Sequence, residues 1–171
     1  LTRLERTMLN ADKPPTREWL SSFLTSFPWV SGFAGVKYDG TILGQEPANP
    51  MKPLDFIPLL YEDKKQSTRA LRADVQNSSF GPEVLLASPL YDGTEFLGVV
   101  VANFDMRSLM QYSQTPQDVV ILSPQALLWP GKYDFASTPL AGENWDEVTA
   151  KSSSGTCTNV NGTFYYNVRF L

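Results

Sequence analysis

Two arginines three positions apart, Arg69 and Arg72, are the side chains of this sequence best suited to gripping a ligand. A guanidinium presents its N–H donors in a planar fork that matches a carboxylate or phosphate bidentately. The competing role is that of two surface arginines on an edge strand. Tyr61 and Tyr91 are the aromatic candidates for a pocket wall, although a Tyr beside a hairpin turn also serves as a cross-strand packing residue. A second constellation is Glu143, Asp146 and Glu147 around Trp145. Carboxylates flanking an aromatic ring can hydrolyse glycosides when two of them face each other across a cleft. These three fall in one segment with no partner carboxylate opposite, so solvated loop charges account for them and no catalytic residue is assigned.

The 171 residues include no His. That removes the Ser-His and Cys-His nucleophiles, the commonest general base and the commonest metal ligand. The one cysteine, Cys157, allows no intrachain disulfide and no thiolate zinc site, and its expected role is a small, buried or half-buried hydrophobe. Neither an enzyme nor a cofactor nor a metal is expected. The formal net charge is −4. Residues 1–72 hold ten Lys/Arg and eight Asp/Glu, a balance of +2, and residues 73–171 hold four and ten, a balance of −6. Such mild acidity argues against a nucleic-acid partner, which would need a clustered basic face. No apolar run approaches the ~18 residues of a membrane span, so a membrane is expected only through a segment outside these residues.

The elements that must position these side chains announce themselves by a turn word written three times: Asp39-Gly40, Asp92-Gly93 and Asn161-Gly162, each between apolar, β-branched or aromatic runs. Asp-Gly and Asn-Gly can take φ > 0 at both central positions, as a two-residue type I′ turn requires, so each predicts an antiparallel hairpin. Ahead of them, Leu1, Leu4 and Met8 suggest the end of an amphipathic helix. Pro14-Pro15 breaks it and Thr16 is placed to cap a second helix carrying the stripe Trp19, Leu20, Phe23, Leu24 and Phe27, stopped by Pro28. Strands are expected over residues 30–38, 41–43 and 69–75, with an irregular, proline-bearing segment over 45–58 and a short helix from Leu59 toward Lys65. Val84 to Ala87 is a short apolar run closed off by Pro89. Phe96 to Phe104 is the most continuous apolar stretch, a central strand buried on both faces and paired with Val84 to Leu90. Asp105 is a cap for a helix from Met106 to about Tyr112. Past Pro116 come a short strand-turn-strand around Ser123-Pro124, a long loop to about Ser154 and the final hairpin. Asn103 interrupts the apolar strand; a buried amide there needs ligand, ordered water or a main-chain group as partner.

This order, with Phe33–Leu43 as a first hairpin and Leu86–Met106 as a last hairpin and helix, resembles extracytoplasmic Cache domains, the PAS-like sensor modules of bacterial membrane receptors. The resemblance covers roughly the first two thirds of the chain. It implies an α+β fold: a PAS-like antiparallel sheet with a long N-terminal amphipathic helix over residues 1–115, and a smaller β-rich part over 116–171 that is either a shortened second module or a β extension. It also implies a periplasmic or extracellular, membrane-tethered sensor with a pocket on one sheet face. Arg69, Arg72, Asn103, Tyr61 and Tyr91 are the ligand-binding candidates, a small molecule, with carboxylates as the candidate class, is the expected partner, and the N-terminal helix is a candidate homodimer contact. Family members that bind amino acids hold the ammonium with an Asp where this chain has Asn103, and hold the carboxylate with an Arg- and Trp-rich motif where this chain has Arg69-Ala70-Leu71-Arg72. The alternative is a structural or interaction domain whose pocket is filled by its own side chains, with Tyr61 and Phe80, or Met51 and Phe56, as the fillers.

Overall fold

The computed structural model describes residues 1–10, 16–62 and 70–169. Arg69, the break at Pro14-Pro15 and residues 63–65 of the helix expected from Leu59 lie outside the described residues; Leu60, Tyr61 and Glu62 are described and are not helical, the chain forming a 3₁₀ turn at Ile57–Leu59 instead. The chain divides into two compact units, Leu1–Leu109 and Met110–Phe170.

The first unit is an α+β arrangement around one antiparallel sheet. Its strands are β1 (Gly32–Lys37), β2 (Ile42–Glu46), β3 (Arg72–Ser78), β4 (Gly81–Asp92) and β5 (Glu95–Phe104), in the order β2-β1-β5-β4-β3. The apolar run Phe96 to Phe104 is thus the central strand, flanked on both sides. Val99, Val100, Val101 and Ala102 are all buried, because one face of β5 meets helices and the other meets a covering segment. β4 pairs with it from Val84↔Phe104 to Asp92↔Glu95. β4 is far longer than the short run before Pro89, and proceeds through that proline. Pairing with β3 ends at Arg72↔Ala87, so Pro89 sits where no ladder bond to β3 is required of its missing N–H. Gly98 shows how tightly β1 lies against β5: a Cβ there would stand 2.0 Å from the Val36 carbonyl, and φ is +149°.

All three turn words close hairpins, but none by the expected turn, because among the described residues none other than glycine has positive φ. In the first, Tyr38-Asp39-Gly40 form a three-residue loop in which Gly40 alone takes φ +90°, and Asp39 Oδ1 accepts from the Thr41 N–H. That hydrogen bond holds the Asp39 carboxyl below its ordinary range. In the second, Gly93-Thr94 are the central pair and only Gly93 is positive, the sign pattern of a type II′ turn. In the third, Val160-Asn161 are central, neither is positive, and Gly162 starts the following strand. The glycine in each word matters; the Asp or Asn before it does not need a left-handed backbone.

Two helices cover one face. α1 (Thr2–Leu9) has eight residues and buries Leu4 and Met8 completely; the long N-terminal helix is not present among the described residues. α2 (Arg17–Ser26) begins where Thr16 Oγ1 accepts from the Trp19 N–H. An aromatic chain locks it to the sheet: Trp19 and Phe23 stack at 5.1 Å, Phe23 meets Phe33 at 4.5 Å, and Trp29 meets Phe104 edge-on at 5.1 Å. After β5, Asp105 Oδ1 accepts from the Arg107 N–H and opens α3 (Met106–Met110), two residues shorter than the helix expected to Tyr112.

The second unit carries two ribbons, β6 (Ile121–Leu122) with β7 (Leu127–Trp129) and β8 (Ser154–Asn159) with β9 (Gly162–Asn167). Between them α4 (Trp145–Lys151) stands where a loop was expected. Asn144 Oδ1 accepts from the Glu147 N–H, Asp146 and Glu147 occupy the first turn and Lys151 the last, so the helix dipole explains the charges around Trp145. Trp145 packs edge-on against Tyr166 at 5.4 Å. Cys157 is buried, and burial, with the nearby Glu143 charge, pushes its thiol pKa up.

Candidate functional site

The face of the sheet opposite α1 and α2 is built from alternate residues of every paired strand. Ala34 and Val36 of β1, Val99, Val101 and Asn103 of β5, Glu83, Leu85 and Ala87 of β4, and Arg72, Asp74 and Gln76 of β3 share it by register. Residues 51–62 lie over this face as a strap. Leu54, Phe56, Leu59 and Leu60 pack onto Ala34, Val36, Leu85, Ala87, Val99 and Val101. A 3₁₀ turn at Ile57–Leu59 seats Leu59, which is 1% exposed.

Three polar clasps fasten the strap, each to a different strand position. Lys52 Nζ donates to Glu83 Oε2 at 2.7 Å. The Asp55 backbone N–H donates to Gln76 Oε1 at 2.9 Å, and Gln76 Nε2 donates back to the Asp55 carbonyl. Arg72 Nη1 donates to the Leu59 carbonyl at 2.8 Å. Glu83 and Gln76 face each other across the β3–β4 ladder and Arg72 lies four residues further along β3, so the strap follows the sheet from the Gln76–Glu83 pair to Arg72.

At the first clasp the polar groups are saturated. Glu83 is 0% exposed, and Asn103 Nδ2 donates to its second oxygen, Oε1, at 2.8 Å. Lys52 also lies 3.8 Å from Asp105 Oδ2, and Arg107 closes the network on the same carboxylate. Burial pushes the Asp105 carboxyl up, but the hydrogen bonds from Arg107 and the charges of Arg107 and Lys52 outweigh it and leave it below its ordinary range. Gly32 leaves room for the amide: a Cβ there would stand 2.7 Å from Asn103 Oδ1. The partner of Asn103 is therefore a carboxylate side chain, which corrects the expectation of ligand, water or main chain.

At the far clasp the situation is reversed. Arg72 is 6% exposed, and its guanidinium carbon lies 3.9 Å from the centre of the Tyr61 ring and 5.3 Å from that of Phe96. Tyr91 packs on Phe96 at 5.5 Å. Among the described residues no carboxylate lies within ion-pair range of Arg72, and the Leu59 carbonyl is its acceptor. A guanidinium has five N–H donors and its charge is costly to bury uncompensated. The ring faces offset part of this through cation–π attraction.

Three of the five ligand-binding candidates, Arg72, Tyr61 and Tyr91, therefore belong to one group, joined through Phe96. Asn103 shares their face but stands two strands and one pleat from Arg72, on the order of 10 Å, and serves Glu83 instead. Arg69 lies outside the described residues. Tyr61 is half exposed and Tyr91 partly so. Of the candidate fillers, Met51 and Phe80 are exposed, at 85% and 50%, and fill nothing; Phe56 packs on the sheet with Leu54, Leu59 and Leu60. Lys52, Glu83, Gln76 and Phe96 are not singled out by the sequence. Glu83 had one available signal, its place on the face shared with Leu85 and Ala87. Phe96 had its cross-strand position beside the hairpin turn.

Among the described residues no group of three or more His, Cys, Asp or Glu side chains is placed to hold a metal ion, and no helix is long and apolar enough to cross a membrane. No protein-family model, no curated protein and no solved structure matches this chain.

Proposed function

We propose that the first unit is an extracytoplasmic ligand-sensing domain of Cache, PAS-like type in a membrane-tethered signalling protein, and that it is not an enzyme. The site is the Arg72 end of the strapped face. Arg72 supplies the charge, Tyr61 and Phe96 the walls, and Tyr91 supports Phe96 from the hairpin. The strap connects the site to the rest of the sheet, so a ligand that adds a partner to Arg72 alters the hold on residues 51–62. That is the physical link a sensor needs: a differential contact with two arrangements of one element.

The observation that carries this proposal is the buried Arg72 guanidinium with the Leu59 carbonyl as its described acceptor and no described carboxylate beside it. An anionic small molecule completes that hydrogen bonding. A second function has its own support in the packing of Leu54, Phe56, Leu59 and Leu60 on the sheet, which fits a structural or interaction domain with a filled frame.

A thermal-shift scan of small metabolites, weighted toward carboxylates, separates the two. A ligand at 100 times its dissociation constant stabilises the fold by ~2.7 kcal/mol. Stabilisation that disappears in Arg72→Met supports sensing at this site. A scan in which no anion stabilises the wild type leaves the filled frame.

A further inference from the structure

We propose that this face accepts an anion that carries no cationic group, and that Lys52 enforces the choice by occupying the one fully buried carboxylate that a ligand ammonium could use. The proposal rests on the sensing function above and specifies the chemical class of its ligand.

The charges on the face are unevenly matched. Glu83 has Lys52 Nζ on Oε2 and Asn103 Nδ2 on Oε1, so both oxygens already have a donor from the chain itself. Asp105 is held by Arg107 at 2.6 Å, with Lys52 at 3.8 Å. Asp74, nearer Arg72 along β3, accepts from Gln76 Nε2 through Oδ2. Arg72 is the buried cation with no described carboxylate. A carboxylate ligand bonded to Arg72 finds a cation. The ammonium of an α-amino acid, which lies beside its own carboxylate, finds Tyr61, Phe96, an already occupied Leu59 carbonyl and, one pleat along β3, Asp74, which already accepts from Gln76. A positive charge there competes with Gln76 for that one carboxylate and is costly to bury, so the deaminated acid is the better ligand.

Lys52 has a particular place in this account because it comes from the strap and not from the sheet. Removing its ammonium leaves Glu83 buried, with Asn103 as its remaining described donor. That is a cation seat about 14 Å from Arg72 between Cα positions, one strand across and four residues along. An ω-amino acid of suitable length would reach both.

Two matched pairs test this in the full chain: isocaproate against leucine, and caproate against ε-aminocaproate. Within each pair the members differ by the amine. In the wild type each acid should bind at least about tenfold more tightly than its amine-bearing partner, a difference of about 1.4 kcal/mol. In Lys52→Ala, ε-aminocaproate should overtake caproate, while leucine gains nothing because its ammonium cannot reach Glu83. Should Lys52→Ala not fold, Lys52→Gln removes the charge and keeps a donor for Glu83. Amine and acid binding alike in the wild type overturns the selectivity while leaving sensing intact. An unchanged preference for caproate over ε-aminocaproate in the Lys52 variants overturns the role of Lys52 and Glu83. If no carboxylate binds either protein, the sensing function falls with it.

Discussion

The two ends of the strapped face use the same residue types in opposite ways. Around Glu83 a buried carboxylate meets a lysine and an amide, and both of its oxygens have donors. Around Arg72 a buried cation meets two aromatic rings and one carbonyl, with no described carboxylate. Both ends pin the same segment to the same sheet. The difference separates an end whose charges are matched within the chain from an end whose cation has no described carboxylate. A satisfied buried pair resists change because removing either member strands the other. A cation held by ring faces and one carbonyl retains donors for a further partner.

The comparison is open to direct attack at the Glu83 end first. Lys52→Met should lower the unfolding free energy by about 3 kcal/mol, because a fully buried Glu83 then loses its counter-charge. Replacing Glu83 by Leu in the same chain should recover most of that loss. Urea denaturation of the two single variants and the double variant measures the coupling. Additive losses would show that the pair is not the clasp described.

Asn103→Leu should cost about 1–3 kcal/mol, since Glu83 Oε1 loses its donor. Ligand binding at Arg72 should persist, because Asn103 serves Glu83 and stands apart from Arg72. Lost binding with unchanged stability would return Asn103 to the binding site.

Arg72→Met should cost only about 1 kcal/mol, the loss of a hydrogen bond and ring attraction offset by relief of a buried charge. Anion binding should vanish with it. Arg72→Lys should not restore binding, because an ammonium lacks the planar fork. A loss as large as that of Lys52→Met would make both ends structural and erase the contrast.

The smallest effect concerns pH. The Asp105 carboxyl sits below its ordinary value of 3.8, so the unfolded chain binds the proton more readily. Its contribution is fully present above that value and is lost as pH falls through the lower, folded pKa. Arg107→Gln should lower stability near neutrality, where this contribution is fully present, and flatten the acid limb. Urea midpoints across acidic pH for both proteins would show it; parallel limbs would remove Arg107 as the cause.

Much of this was legible along the chain wherever the signal is local. The Thr16 cap, the central strand Phe96 to Phe104, the hairpin positions and the cap at Asp105 depend on neighbours within a few residues. The turn geometry was less legible, because Asp-Gly permits several loops and strand register selects among them. The helix after Asn144 was hidden by its surrounding Pro, Gly and Ser residues, although Asn144 with Glu147 three positions on is a start signal. Arg72, Tyr61 and Tyr91 were recognisable as candidates by residue type alone.

The sequence by itself determined the alternation that puts Leu85, Ala87, Val99 and Val101 on one buried face, and the glycines without which β1 could not lie so close to β5. Tertiary structure alone decided which polar residues those strands would bring together. Lys52 and Glu83 are 31 positions apart, Asn103 and Glu83 are 20, and Arg72 meets Leu59 across 13. No local periodicity encodes such pairs. They exist because the strap lies on β3 and β4 at a set register, and that register decides which buried charge meets a counter-charge and which has no described carboxylate.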